Sequence, residues 1–357
     1  MIKLIIVVLN TCAALSAAFL LPPKSIYYVF QDTGYFFIFV SFFLWVICLF
    51  RLYFAHIKSI FFQHYGGLLL STVLMVLIFC IAPPKFKILP DESNLIGVSM
   101  AMYQSKKAYL PTEGFNVGYQ EPAYRITIDK RPLLYPLMVS LVHSLRGYSP
   151  YNGFVVNFIL GILILFLFYL FIYDHFPRIY SFLAVLILAA LPSFVMWVTS
   201  SGFETLNLFF IVLTIFLFKK VIDSRSIQHA ELLFLTLVLV SQCRYESMVF
   251  TVAILFLLPI LLRKKAIAEL SLITFITPFL FIPTIWLPRL YAQLPVITKM
   301  SNEFVQAANL YDAFSYSNLI SNTSNNLIVF LGLDPNLGFS AVISGLSMAG
   351  IYLMTKR

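Results

Sequence analysis

The chain has 357 residues, of which 61% are hydrophobic and 11% are charged, and its net charge at pH 7 is +9. Soluble domains are roughly 45–50% apolar and about 25% charged, so this composition excludes a soluble globular protein. The lysines and arginines lie mainly in short segments between apolar runs. Such a pattern sets orientation in a membrane and gives no indication of nucleic-acid binding.

Apolar runs of about 15–22 residues predict an all-α polytopic membrane protein with about ten transmembrane helices. The first run follows Lys3 and contains small residues at Ala14–Ala18, which fits either a cleaved signal peptide or an uncleaved first span. We take it as a span. The predicted spans are Ile2–Leu21, Tyr35–Tyr53, Gly66–Ala82, Asn152–Tyr173, Ile179–Val198, Phe203–Phe218, Ala230–Gln242, Ser247–Leu262, Ala266–Leu287 and Ala341–Met354.

The cations are distributed unevenly between the two sides of these spans. With the N-terminus inside, the short outer loops carry only Lys24 and Arg244. Cytoplasmic loops are rich in lysine and arginine, which predicts that the long segments 83–151 and 288–340 are outside. The inner cations are Arg51, Lys58, Arg178, Lys219, Lys220, Arg225, Arg263, Lys264, Lys265, Lys356 and Arg357. We divide the chain into two N-terminal spans (1–65), a core (66–287) and a last loop with its span (288–357).

The first outer segment contains two amphipathic patterns, each preceded by charged residues. Asp91 and Glu92 precede one pattern, and Lys130 and Arg131 precede the other. Helical spacing of the apolar residues predicts two interfacial helices. The acids fit either capping of the first helix or chemistry. The cations fit either a bound anion or attraction to lipid head groups.

Two further charged groups lie at predicted outer helix ends. Ser201-Gly-Phe-Glu204 fits a capping box, in which the glutamate accepts from the first amide of the next helix. Arg244-Tyr245-Glu246 joins two short apolar runs and fits either a hydrated cavity or a surface ion pair. The cysteines and histidines show no spacing typical of metal ligands, so no metal site is predicted.

The order of these features resembles that of the integral-membrane glycosyltransferases of the GT-C fold. The features are the Asp91-Glu92 pair, the "KRPLLYPL" sequence at residues 130–137, a span interrupted by Pro192, a helix that begins near Glu204, and the Arg-x-Glu tip. The pattern is similar to that of dolichyl-phosphate-mannose protein mannosyltransferases and of bacterial aminoarabinose transferases that modify lipid A. It covers roughly Gly66 to Leu287.

The resemblance implies an inverting enzyme that moves a hexose or pentose from a polyprenyl-phosphate carrier to an envelope lipid, glycan or protein. It implies catalytic roles for Asp91 and Glu92. It also implies a donor site for lipid phosphate and sugar, formed by Lys130, Arg131, Arg244, Glu246, Glu204 and Arg125. Mg²⁺ or Mn²⁺ is compatible with these acids and is not required. The expected location is a bacterial inner membrane, among its lipids, with the site facing the periplasm or exterior.

Two other functions fit the same hydropathy. A flippase or transporter of lipid-linked sugars would need polar groups along a path through the bilayer, for which the spans offer Asn157, Asn207 and Gln242. An envelope glycan polymerase or ligase would use a whole lipid-linked oligosaccharide as its donor.

Overall fold

The computed structural model describes residues 2–115, 123–224, 226–261 and 272–298. The predicted span Ala341–Met354 lies outside this range, as does most of the second long outer segment. Contacts group Met1–Tyr291 into one compact unit. A second unit begins at Ala292, and only its first residues, up to Thr298, are described.

The N-terminal part is helical almost throughout. Helix α1 spans Ile2–Leu20 and α2 spans Pro23–Tyr53. A short 3₁₀ turn at Phe54–His56 leads into α3, Ile57–Ile81. The loops predicted on either side of residues 35–53 are therefore helical, because Pro22 and Pro23 lie at the start of α2 and no proline follows in this stretch to interrupt the helices.

The segment predicted to be the first long outer one contains a helix at each of the two predicted positions. Helix α4 spans Leu89–Ser105, and α5 spans Leu134–Arg146. The two helices pack against each other. An antiparallel pair of strands lies between them in the chain: β1, Leu110–Phe115, and β2, Ala123–Thr127. This hairpin was not predicted, since each strand is short and depends on pairing with the other.

The remaining helices alternate across the core. They are α6, Asn152–Tyr173; α7, Arg178–Ala190; α8, Pro192–Val198; α9, Glu204–Ser224; α10, Ile227–Ser241; α11, Ser247–Leu261; α12, Leu272–Leu280; and α13, Ile282–Thr298. A bend of 70° separates α7 from α8. Leu191 is extended there, and Pro192 begins α8 because it has no amide hydrogen to continue α7.

Three helical segments of the described chain are long and apolar enough to cross a bilayer: Pro23–Ile81, Asn152–Tyr173 and Glu204–Ser224. A fourth results if the bent pair α7 and α8 counts as one span. The prediction of about ten spans is therefore not confirmed. Helices of 15 residues, such as α10 and α11, reach only about 22 Å, against a hydrocarbon core of about 30 Å.

Helices α6 and α10 form the centre of the core. Helix α6 contacts α3, α5, α7, α8 and α9, and α10 contacts α2, α9, α11 and α12. Close approach of α3 to α6 depends on Gly67, since a Cβ atom there would meet the Tyr169 ring at 2.5 Å. These packed helices hold the starts of α4, α6 and α9 together.

Candidate active site

The start of α4 carries two adjacent acids with different surroundings. Both are in its first turn, where negative charge is favourable to the helix dipole. The Glu92 side chain is only 3% exposed. Its Oε1 accepts hydrogen bonds from the backbone amides of Lys87 (3.1 Å) and Ile88 (3.3 Å), and its Oε2 accepts one from the Ser201 amide (3.2 Å). Glu92 therefore caps its own helix and attaches it to the segment before α9.

The Asp91 side chain is partly accessible to solvent, with 43% of its surface exposed. Its Oδ1 accepts a hydrogen bond from Nη2 of Arg131. Within the described part of the chain, Oδ2 has no hydrogen-bond partner. Asp91 is therefore held in place through one oxygen while its side chain stays accessible to solvent, which suits a group that accepts a proton.

Arg131 is buried between two carboxylates. Its Nη1 donates to Oδ1 and Oδ2 of Asp129, at 2.7 and 3.0 Å. Both side chains of this pair are 6% exposed. Asp129 also accepts from the backbone amides of Lys130 and Arg131. Asp129 was not among the predicted site residues, although its position two residues before Arg131 could have suggested such a pair.

Burial and neighbouring charge have opposite effects on the pKa of each side chain in this pair. Burial raises the pKa of the Asp129 carboxyl above its ordinary value, while the Arg131 guanidinium and the two backbone amides oppose that rise. For Arg131, burial lowers the pKa, but the carboxylates of Asp129 and Asp91 more than offset this and raise it. Arg131 therefore stays charged, and its positive charge is shared between two acids.

The segment before α4 is attached to the segment after α8. The Lys85 amide donates to the carbonyl of Thr199 at 3.1 Å. Lys87 Nζ donates to the Met196 carbonyl (3.0 Å) and to Oγ1 of Thr199 (2.7 Å). Burial and the neighbouring Lys85 lower the pKa of Lys87, and Glu92 opposes this. Lys87 was not predicted as a site residue, because no short motif marks it.

Asn157 holds the same segment from the other side. This buried side chain of α6 donates from Nδ2 to the carbonyls of Ser200 (2.7 Å) and Gly202 (2.9 Å). Together with Lys87 and Glu92, it fixes the approach of the chain to α9. The capping box predicted for Ser201 and Glu204 is not formed, because α9 begins at Glu204 and the Ser201 amide donates to Glu92 instead.

Arg244 and Glu246 lie between α10 and α11, near the start of α9. Nε of Arg244 and Oε2 of Glu246 are 3.3 Å apart, and Glu246 is 70% exposed. Of the two alternatives drawn from the sequence, a hydrated cavity or a surface ion pair, this contact is the ion pair. The guanidinium also lies 5.2 Å from the centroid of the Phe203 ring. Glu204 interacts electrostatically with Arg244, and with Glu92 and Asp91.

The structure thus brings Asp91, Glu92, Arg131, Glu204 and Arg244 to one end of the helices. The Lys130 side chain is exposed next to this cluster. Arg125 lies in β2, and its side chain is outside the described part. Among the described residues, no group of three or more His, Cys, Asp or Glu side chains is placed to hold a metal ion.

Residues 130–286 match the family model of dolichyl-phosphate-mannose-protein mannosyltransferases. This range is under half of the chain; it includes Arg131, Glu204 and Arg244 and begins after Asp91. The match supports a membrane glycosyltransferase of the mannosyltransferase type and confirms the resemblance to GT-C enzymes. Searches among curated proteins and among solved structures gave no match.

Proposed function

We propose that the protein transfers a sugar from a polyprenyl-phosphate carrier to an acceptor at the outer face of the membrane, with Asp91 as the general base. The observation that carries this proposal is the environment of Asp91. One carboxylate oxygen is held by a buried guanidinium, and the side chain is still 43% exposed to solvent. The match of residues 130–286 supports the class of reaction.

In the proposed reaction an acceptor hydroxyl attacks the anomeric carbon of the donor sugar. The hydroxyl proton moves to Asp91, a step worth roughly 10²–10⁴ in rate. The bond between the anomeric carbon and the phosphate oxygen breaks, and its electron pair leaves with the polyprenyl phosphate. A single displacement inverts the configuration at that carbon.

The leaving phosphate needs cations, and the site has several. Lys130 is exposed beside Arg131, and Arg244 is about one-third exposed at the same end of the core. Fixed positive groups of this kind stabilise a leaving group as its charge grows. We assign Lys130 and Arg244 to the phosphate. We assign Glu92 a structural role, since backbone amides occupy both of its oxygens.

The transporter alternative is less well supported by the polar residues of the helices. Asn157 binds the segment before α9. Asn207 accepts from Oγ of Ser247 at 2.6 Å, and Gln242 donates to Oγ1 of Thr284 at 2.6 Å. All three side chains stabilise contacts within the protein, so they do not provide an open polar path. The polymerase or ligase alternative differs in its donor. A transfer assay with donors of different glycan length distinguishes it, because such an enzyme would use a whole lipid-linked oligosaccharide.

The test is transfer by the purified protein in lipid nanodiscs, with a panel of polyprenyl-phosphate sugars and membrane-lipid acceptors. Asp91→Asn keeps the shape of the side chain and removes the base. We expect transfer to fall by about 100-fold or more, with donor binding and thermal stability retained.

The matched control is Asp174→Asn. Asp174 follows the other end of α6 and pairs with Lys220 at 2.6 Å. This variant should transfer at the rate of the unmodified protein. Full activity of Asp91→Asn would remove Asp91 from the mechanism.

A further inference from the structure

The Arg131 guanidinium contacts two carboxylates that differ in exposure. Its Nη1 binds both oxygens of Asp129, a side chain that is almost completely buried. Its Nη2 binds one oxygen of Asp91, whose side chain is 43% exposed. Two carboxylates and one guanidinium leave the cluster with a formal charge of −1 if both acids are ionised. The two contacts therefore differ in how readily each can open.

The Asp129 contact is the one that stays closed. Opening it would leave two buried charges apart, and a buried charge without its partner is strongly destabilising. The Asp129 carboxylate is also fixed by the backbone amides of Lys130 and Arg131. At the Asp91 contact, by contrast, solvent has access to the carboxylate and can replace the bond. The Nη2 side of Arg131 is thus the side that can change partner.

A phosphate diester is the kind of ligand that would make this change. Guanidinium groups bind phosphate oxygens through short, charge-assisted hydrogen bonds of the same type as those to carboxylates. A carboxylate that loses a neighbouring cation becomes a stronger base. Exchange at Nη2 would therefore connect arrival of the donor with activation of Asp91.

We propose that Asp129 is a positioning residue that holds Nη1 of Arg131 while the donor phosphate displaces Asp91 from Nη2. Donor binding itself then releases the base. This inference rests on the proposed function and extends it. Without the Asp129 carboxylate, Arg131 would be free to turn both nitrogens towards Asp91 and keep that carboxylate paired.

Asp91 lies among charged groups on several elements: its own helix, the segments before α4 and α5, and the ends of α9 and α10. The groups on these elements are Glu92, Asp129, Lys130, Arg131, Lys85, Lys87, Glu204 and Arg244. Asp91→Asn removes only the group in question, so the difference from the unmodified protein isolates Asp91.

The experiment measures proton uptake when a polyprenyl-phosphate sugar binds in the absence of acceptor. Calorimetry in buffers of different ionisation enthalpy gives the number of protons taken up per donor bound. The measurement is made at about pH 5, just above the ordinary pKa range of carboxyl groups. The phosphodiester has a fixed charge, so any uptake belongs to the protein. We expect uptake in the unmodified protein, no uptake in Asp91→Asn, and at least a twofold smaller uptake in Asp129→Asn.

Transfer by Asp129→Asn gives a second readout. We expect kcat to fall about tenfold, with the acidic limb of the pH profile of kcat shifted to lower pH, because Asp91 stays paired with Arg131. A loss of packing alone would lower kcat without moving that limb. Asp129→Glu, which retains the charge, should keep the uptake. The matched control is Asp32→Asn, which removes the carboxylate of an exposed pair with Lys107 and should behave as the unmodified protein.

Equal uptake in the unmodified protein and Asp91→Asn overturns the exchange, and that comparison holds even if Asp129→Asn does not fold. Asp129→Asn that matches the unmodified protein in both uptake and pH profile overturns the role of Asp129. Transfer without proton uptake contradicts the exchange alone. Binding with uptake but no transfer to any acceptor contradicts the proposed function alone.

Discussion

Two adjacent acids with the same charge do different work because their side chains leave α4 in different directions. Glu92 faces inward and accepts three backbone amides, whereas Asp91 faces the solvent side and Arg131. Both acids were predicted to be catalytic. We propose that Asp91 alone takes part in the chemistry, because backbone amides occupy both oxygens of Glu92.

Glu92→Gln tests this division of roles. The substituted amide cannot accept with both of its terminal atoms, so at least one backbone amide loses its partner. We expect a loss of about 1.5–3 kcal/mol in the free energy of unfolding, the range for hydrogen bonds to charged groups. Thermal unfolding of the purified protein measures it.

Glu246→Gln is the control for this substitution. Glu246 is 70% exposed, and exposed substitutions of this kind change stability by about 0.5 kcal/mol or less. Equal stability of the two variants would show that Glu92 does not hold α4.

At the scale of elements, a buried histidine connects α4, α5 and α6. His143 of α5 lies 3.1 Å from Oγ of Ser99 through Nε2, and 2.7 Å from Nδ2 of Asn152 through Nδ1. The Asn152 amide nitrogen also donates to the Gly147 carbonyl at 2.9 Å. Because that nitrogen is a donor, Nδ1 accepts and Nε2 carries the hydrogen. The arrangement requires a neutral imidazole.

This contact makes stability dependent on pH. Burial lowers the pKa of His143 from its ordinary value of 6.5. The unfolded chain therefore binds a proton at a higher pH than the folded protein does. The stabilisation is complete above pH 6.5 and is lost as the pH falls below that value towards the folded pKa.

We expect the melting temperature to fall between pH 7.5 and pH 5.5, and to fall less in His143→Gln, which lacks the titrating group. The control is His56→Gln, because His56 is exposed and its replacement should leave the fall unchanged. An identical fall in His143→Gln and the unmodified protein would contradict the role of His143.

At the scale of the whole molecule, opposite ends of the helices carry different charges. Helices α6 and α9 both begin beside the Asp91 cluster. Their other ends carry Lys219 and Lys220, and Arg178 follows nearby at the start of α7. Two of these cations are paired, Lys219 with Asp223 and Lys220 with Asp174, so acids lie at both ends and cations are in slight excess at this one. A cation excess at this end has the direction that the positive-inside rule predicts if the site faces outward.

Thiol labelling in intact cells tests that orientation. In a variant without the four native cysteines, Ser93→Cys places a thiol at an exposed position two residues after Asp91, and Ser224→Cys places one at the exposed end of α9. We expect a membrane-impermeant reagent to label Ser93→Cys and to leave Ser224→Cys unlabelled until the membrane is permeabilised. The reverse result would place the site in the cytosol.

Much of the helical order could be predicted from the sequence, and α6 has the predicted bounds, Asn152–Tyr173. The number of spans could not be predicted, because hydropathy does not separate a short buried helix such as α10 from one that crosses the bilayer. Arg131 and Lys130 could not be distinguished either. Both precede α5, and only packing buries Arg131 and leaves Lys130 exposed.

By itself the sequence determined the class of the protein, an apolar helical chain, and the positions where its charged residues interrupt the helices. These properties depend on residues that are neighbours in the chain, so they can be predicted from composition and periodicity. Only the tertiary structure decided which charges meet. Asp91 and Arg131 are 40 positions apart, and Glu92 and Ser201 are 109 apart. Such contacts depend on how α4, α5 and α9 pack, and local spacing contains no information about that packing.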